Sequence, residues 1–261
     1  MTSEIHILAN TEELASTAAE AFIDHAQHAV RAQGAFTVAL SGGLTPKRLY
    51  QLLAREAIAA SQAPVGWEKV HFFWGDERHV PPDHTDSNYR MAYEALLSKV
   101  PVPPEHVYRV PAETSDANQA AERYEQMLRD FFRLGPEELP RFDLVLLGLG
   151  TDGHVASLFP ATAALHEQEH LVIANWVEKL HVYRITLTLP VINNAAGIVF
   201  LVSGTEKAET LRRVLEGDHD PERYPAQWIR PKAGHLLWLV DTAAAAHLQI
   251  TRNKPFKRRS G

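Results

Sequence analysis

The sequence predicts an α/β fold: a doubly wound, mostly parallel sheet with helices on both faces, Rossmann-like and built as a single domain. Three observations carry this. Short β-rich runs alternate with helical patterns along most of the 261 residues, as successive βα units do. Several of those runs are apolar without alternation, the pattern of strands covered on both faces by helices. Glycine-rich and charged stretches fall at strand-to-helix junctions, where such sheets bind their ligands.

The expected strands, in order, are "IHIL" (5–8), "FTVAL" (36–40), "VHFFW" (70–74), "FDLVLLG" (142–148), "LVIANWV" (171–177), "YRITLTL" (183–189), "GIVFLV" (197–202) and "HLLWLV" (235–240). Between them, "TEELASTAAEAFIDHAQHAVRA" begins at a threonine suited to an N-cap, Thr11. "TPKRLYQLLARE" has the same signal in Thr45, with Pro46 at the first helical position. "NYRMAYEALLSKV", capped by Ser87-Asn88, "ANQAAERYEQMLRDFFRL" and "EKAETLRRVLEG", stopped by Gly217, complete the helices. No repeat or linker-like composition interrupts residues 1–250, and the Pro-rich 101–116 stretch reads as a surface connection. The basic "RNKPFKRRSG" ending makes 251–261 a disordered, solvated tail.

Composition narrows the function. The net charge is −6, so no global basic field argues for nucleic acid, and any anion site must gather positive charge locally. The chain contains no cysteine, which removes disulfides, thiolate metal ligands and a Cys nucleophile, and fits a cytoplasmic protein. The N-terminal "MTSEIHILANTEELA" lacks the basic and apolar regions of a signal peptide. No apolar run is long enough for a transmembrane helix, so no membrane partner is expected.

Three junctions can carry chemistry. After "FTVAL" come Ser41, Gly42 and Gly43, then Thr45-Pro46 opening a helix. Glycines allow close backbone approach, and helix-start N–H groups suit a phosphate. A plain capped turn is the alternative; so is a nucleophile elbow, since Ala39-Leu40-Ser41-Gly42-Gly43 departs from G-x-S-x-G only at its first position. After "VHFFW" come Asp76, Glu77, Arg78 and His79, with Asn88 at the next helix. These charges could be simple surface ion pairs, but Arg78 is also suited to an anion or a developing oxyanion.

The third junction is "GLGTDGHVASLFP" (148–160). Gly148, Gly150 and Gly153 spell the dinucleotide fingerprint, with Glu178 near the ribose-acid position. Pro160, however, leaves about two turns for the helix that the fingerprint needs, and Asp152 sets a carboxylate where pyrophosphate would lie. Asp152 with His154 at a strand mouth reads better as a catalytic pair, against the plainer option of a His bonded to backbone. "HEQEH" (166–170) matches the zincin signature but runs directly into a strand rather than along a helix, so no metal site is expected. Arg184 at a strand start and Lys207 in a first helical turn offer local positive charge; either alone is equally at home on a surface.

Taken together, "SGGLTPKRLY", "FFWGDERHVPPDHTDSNYRMA", "DLVLLGLGTDGHVASLFP", "RITLTLPVINNA" and "LVSGTEKA" resemble the 6-phosphogluconolactonase family, in order from about residue 10 to 245. The related glucosamine-6-phosphate deaminase/isomerases share the G-x-D-G-H core but lack the Trp-Gly-Asp-Glu-Arg block. They also end that loop differently from Ser157-Leu158-Phe159-Pro160.

The resemblance implies hydrolysis of 6-phospho-D-glucono-1,5-lactone in the oxidative pentose phosphate pathway, with no metal or organic cofactor. An association with glucose-6-phosphate dehydrogenase is a further expectation. Carried over, His154 is the base for water, Asp152 orients it, and Arg78 steadies the oxyanion or fixes the substrate. Asp76 and Asn88 become orienting groups, while Ser41, Gly42, Gly43, Thr45, Arg184 and Lys207 form the phosphate end. Thr151 departs from the family, which often has Pro there. The chemistry agrees: a δ-lactone is an activated ester, and a positioned water with an imidazole base suffices to open it. Amino-sugar phosphate deamination and a Ser41 hydrolase are the competing reactions.

Overall fold

A computed structural model describes residues 3–59, 65–249 and 255–256. Its strands are β1 (Ser3–Leu8), β2 (Phe36–Leu40), β3 (Val70–Trp74), β4 (Asp76–Arg78), β5 (Leu144–Leu147), β6 (Val172–Val177), β7 (Val182–Leu187), β8 (Gly197–Val202), β9 (His235–Asp241) and β10 (Pro255–Phe256). The main sheet runs β10-β1-β9-β8-β5-β2-β3. Every neighbouring pair is parallel except β10, a two-residue antiparallel addition to β1. The rest of the predicted tail lies outside the described residues.

The helices are α1 (Thr11–Gln33), α2 (Leu44–Ala59), α3 (Asn88–Ala95), α4 (Ala117–Phe132), α5 (Leu189–Asn193) and α6 (Ala208–Glu216). α1 packs on β2, β8, β9 and α2. The sheet's centre is fully buried: every residue of β2, β5 and β8 is inaccessible, and Phe200 stacks on Trp238 across β8 and β9 with centroids 3.7 Å apart. This explains why those strands read as unbroken apolar runs.

From β2 the chain steps to β3 at one edge, whereas β5, β8 and β9 progress toward the other. The winding therefore reverses between β2 and β5, which opens a crevice beyond their carboxyl ends. Two buried tyrosines fix strand ends there. The Tyr50 hydroxyl donates to Ser41 O at 2.9 Å and accepts from Ser41 N at 3.0 Å. Tyr124 does the same for Trp74, at 3.0 and 2.8 Å. Burial pushes both phenols above their ordinary range, so they stay protonated as donors.

Several expectations are corrected. "LVIANWV" and "YRITLTL" do not join the parallel sheet; β6 and β7 form an antiparallel hairpin that continues to β4 in a separate sheet, order β4-β7-β6. β4 is three polar residues long, too short and too charged to show as a strand in the sequence. The cap of α1 is Asn10, whose side chain accepts from Glu12 and Glu13 N–H, and not Thr11. α2 starts at Leu44, so Thr45 and Pro46 lie inside its first turn. Ser87 does cap α3, and Gly217 ends α6.

Candidate active site

A cleft of about 670 Å³ occupies the winding reversal. Its walls include Ser41, Gly42, Gly43 and Thr45 from the end of β2, Asp76, Arg78 and Asn88 from β4 and α3, His154 from the loop after β5, and Lys207 beyond β8. Residues distant in sequence thus meet because β2, β5 and β8 are successive strands of the parallel sheet, and β4 follows directly on its edge strand β3.

The β2 loop is shaped by two glycines. A Cβ on Gly42 would overlap the Asn88 side chain, so glycine here lets α3 close on the loop. Gly43 has φ +103°, a left-handed conformation, and its carbonyl accepts from Lys47 N at 3.1 Å to start α2. The first turn of α2 consequently faces the cleft. Ser41 Oγ donates to Gly42 O at 3.3 Å, and among the described residues no histidine bonds it. The nucleophile-elbow alternative therefore lacks its base.

The Asp-Glu-Arg block divides its tasks. Glu77 is structural: its carboxylate accepts from Arg78 N, Asn88 N and Tyr89 N at 2.7–2.8 Å and from Ser87 Oγ at 3.1 Å, holding the start of α3. Burial pushes its carboxyl up, against the lowering by those N–H groups. Asp76 accepts from Ser157 Oγ at 2.7 Å, and its carbonyl accepts from Asn88 Nδ2 at 2.9 Å. Arg78 donates from Nη1 to Asp86 O at 2.7 Å, while its buried Nε has no partner. Arg184 is not on the cleft wall. It lies directly opposite Arg78 in the β4–β7 ladder, on the same face of that sheet. Burial, with Arg78 beside it, pushes the Arg184 guanidinium down.

The loop after β5 brings Asp152 and His154 together. Gly150 N donates to His154 O at 2.9 Å and Gly153 N to Gly150 O at 3.0 Å, which folds 150–154 into a tight turn. A Cβ on Gly150 would overlap the His154 ring, and Gly153 has φ +86°. The turn brings His154 Nδ1 to 2.5 Å from Asp152 Oδ1, and His154 N donates to the same oxygen at 3.2 Å. Asp152 Oδ2 accepts from Lys179 Nζ. Burial pushes the Asp152 carboxyl up, but the hydrogen bonds and charge of His154 and the hydrogen bond of Lys179 outweigh it and hold it well below the usual carboxylate range. Phe159 stacks on the His154 ring, centroids 4.1 Å apart.

No α-helix follows Gly153. The chain makes a Val155–Leu158 bridge instead, with Ala156 at φ +47°. The short helix expected before Pro160 is thus replaced by a turn, and the dinucleotide reading loses its helix N-terminus. Likewise the 3₁₀ turn Ala163–His166 ends at the first residue of "HEQEH", so His166 and His170 do not share a helix face. Lys207 ends the Thr205–Lys207 turn and precedes α6 rather than sitting in its first turn.

Sequence reasoning missed Thr11, Arg48 and Ser203 on the cleft wall, and the support given by Ser157, Phe159 and Lys179. Ser157 and Phe159 stand in the same quoted loop and were legible as neighbours of His154. Lys179 arrives on the β6–β7 hairpin tip, a contact for which local sequence holds no signal.

A parallel sheet with a ligand crevice at its winding reversal, and a carboxylate–imidazole pair on the rim, defines an α/β enzyme. Residues 9–238 match the family described as glucosamine-6-phosphate isomerases/6-phosphogluconolactonase. The chain is 42% identical over 250 residues to a 6-phosphogluconolactonase of Nostoc sp., covering 96% of this chain and all of that one. It is equally similar, 42% over 249 residues and 95% of this chain, to the full-length 6-phosphogluconolactonase of Synechocystis sp.. The solved structure of 6-phosphogluconolactonase from Trypanosoma brucei superposes with a TM-score of 0.83 at 30% identity, covering 94% of this chain and 98% of the other. A monomeric glucosamine-6-phosphate deaminase shares the fold, TM-score 0.77 at 20% identity. The chain belongs to the 6-phosphogluconolactonase family.

Proposed function

We propose that this protein hydrolyses 6-phospho-D-glucono-1,5-lactone to 6-phosphogluconate, with His154 as general base for water. The observation that carries the reading is the 2.5 Å contact between His154 Nδ1 and Asp152 on a cleft that also presents Arg78. An ionised Asp152 accepts from Nδ1–H, which leaves the Nε2 lone pair as proton acceptor. Water attacks the lactone carbonyl carbon as its proton passes to Nε2. The carbonyl oxygen becomes an oxyanion, stabilised by the Arg78 guanidinium. Collapse breaks the bond to the ring oxygen, which takes the proton back from the imidazolium and leaves as a hydroxyl. The start of α2, with Ser41, Gly42, Gly43, Thr45 and Lys207, receives the phosphate, and Arg184 adds charge beside Arg78. Asp76 and Asn88 hold the cleft's shape between them.

The same reading places the enzyme in the cytoplasm and in the oxidative pentose phosphate pathway, taking its lactone from glucose-6-phosphate dehydrogenase, with which it associates. Among the described residues no helix is long and apolar enough to cross a membrane. The test generates the lactone in situ, subtracts spontaneous hydrolysis, and follows 6-phosphogluconate with and without the protein. His154→Ala is expected to lose about 10²–10⁴-fold in rate while still binding product. Near wild-type turnover in that variant, or ammonia release from glucosamine 6-phosphate by the wild type, overturns the reading.

A further inference from the structure

The segment "NWVEKLHVY" plays no part in the mechanism above, yet its centre reaches the catalytic pair. β6 and β7 form a hairpin whose connection is the single turn Glu178–Leu180, closed by His181 at φ +50°. Lys179 projects from that tip. Its Nζ bonds Asp152 Oδ2, the oxygen that His154 does not use. The same Nζ lies 4.9 Å from the centroid of Phe159, the ring stacked on the His154 imidazole. One ammonium therefore touches both supports of the general base, its carboxylate partner and its stacking partner.

We infer that Lys179 is a positioning residue for the Asp152–His154 pair: it anchors the carboxylate and, by its charge, keeps the imidazole in the unprotonated, proton-accepting form. The inference rests on the lactonase reading for its kinetic consequence only. A carboxylate bonded to imidazole alone would favour the imidazolium, and a base that is already protonated cannot accept from water. An ammonium on the other carboxylate oxygen offsets that pull and disfavours a second positive charge nearby. It leaves the Nδ1 hydrogen bond, and with it the tautomer, in place. Lys179 thereby separates the two effects of Asp152, keeping the orientation and damping the charge.

The other charged groups that line the cleft with His154, or stand beside its lining, belong to different elements. Asp76 on β4 is bonded to Ser157, Arg78 to the Asp86 carbonyl, and Arg48 on α2 to Glu12. Glu206 and Lys207 line the cleft from the turn beyond β8, and Arg184 pairs with Arg78 from β7. None of these contacts Lys179, so its replacement changes one charge only. The Lys179 side chain is half exposed on a turn, which makes the exchange tolerable to the fold.

The test compares wild type, Lys179→Met and Lys179→Arg in two measurements. One is the pH profile of kcat/KM for the lactone. The other is an NMR titration of the His154 imidazole, assigned among the 14 histidines by its absence in His154→Asn. Lys179→Met is expected to move the acid limb and the imidazole midpoint to higher pH by about half a unit or more, roughly threefold in rate on that limb. Lys179→Arg is expected to restore both. An imidazole titration in Lys179→Met that superimposes on wild type, or an Arg variant that behaves like Met, overturns the inference. If the wild type fails to hydrolyse the lactone, the functional reading falls, while the titration still decides the role of Lys179.

Discussion

Arg78 and Arg184 sit directly opposite each other in the antiparallel β4–β7 ladder. Like charges in that register destabilise a sheet, and burial adds to the cost for Arg184. Under the proposed function, a substrate phosphate bound beside them would offset the repulsion. Arg184→Met is expected to keep or raise the thermal midpoint of the free protein and to weaken 6-phosphogluconate binding by about 10–100-fold, the loss of one charge-assisted contact. Calorimetric titration with that product checks it, and unchanged affinity removes Arg184 from the phosphate end.

The Asp152–His154 hydrogen bond fixes which imidazole nitrogen holds the proton. In Asp152→Asn the amide can donate to Nδ1, which moves the imidazole proton to Nε2 and blocks acceptance from water. A rate loss of about 10²–10⁴-fold is expected, with little change in KM. Steady-state kinetics that show a raised KM and an intact kcat would assign Asp152 to substrate binding instead.

Gly150 and Gly148 form a controlled pair. A Cβ on Gly150 meets the His154 ring and the Asp152 carboxylate, whereas nothing lies within 4 Å of one on Gly148. Gly150→Ala is therefore expected to displace the base and lose at least about tenfold in kcat, a barrier change of about 1.4 kcal/mol. Its thermal midpoint should move little, because a side-chain end can yield. Gly148 also lines the cleft, but its Cβ would meet no protein atom, so Gly148→Ala should lose less in kcat than Gly150→Ala. Equal behaviour of the two variants in melting and kinetics would remove the steric argument.

His71 lies among His106, Tyr108 and Phe131. Burial, then the neighbouring His106, pushes its pKa down to about 4. Its folded value is below the unfolded one of about 6.5, so between those limits the unfolded chain binds the extra proton. Stability from this group is complete above about pH 6.5 and declines as pH falls toward 4. His71→Phe is expected to flatten the dependence of the thermal midpoint on pH across that window. An unaltered slope would show that His71 does not contribute to it.

Much of the fold was legible. β2, β3 and β8 occupy the residues predicted for them, because strands buried on both faces read as mainly apolar runs. β6 and β7 were legible as strands but not as a separate sheet. A run of β-branched and aromatic residues states that a segment is extended, and says nothing of which partner or direction it takes. At the site, Asp152, His154, Arg78, Gly42 and Asn88 stood out because charge, glycine and caps are costly at strand ends without a purpose. That Arg184 pairs with Arg78 was not legible, since register across an antiparallel pair is set by strands distant in sequence.

By itself, then, the sequence determined the alternating strands and helices, the parallel core and the Asp152–His154 pair, all of which depend on local spacing and on burial pattern. Tertiary structure alone decided that the winding reverses between β2 and β5, that a three-stranded sheet sets Arg78 against Arg184, and that Lys179 reaches Asp152 from a hairpin 27 positions away. Those contacts join residues through strand order and register, which are properties of the whole packed chain and not of any segment in it.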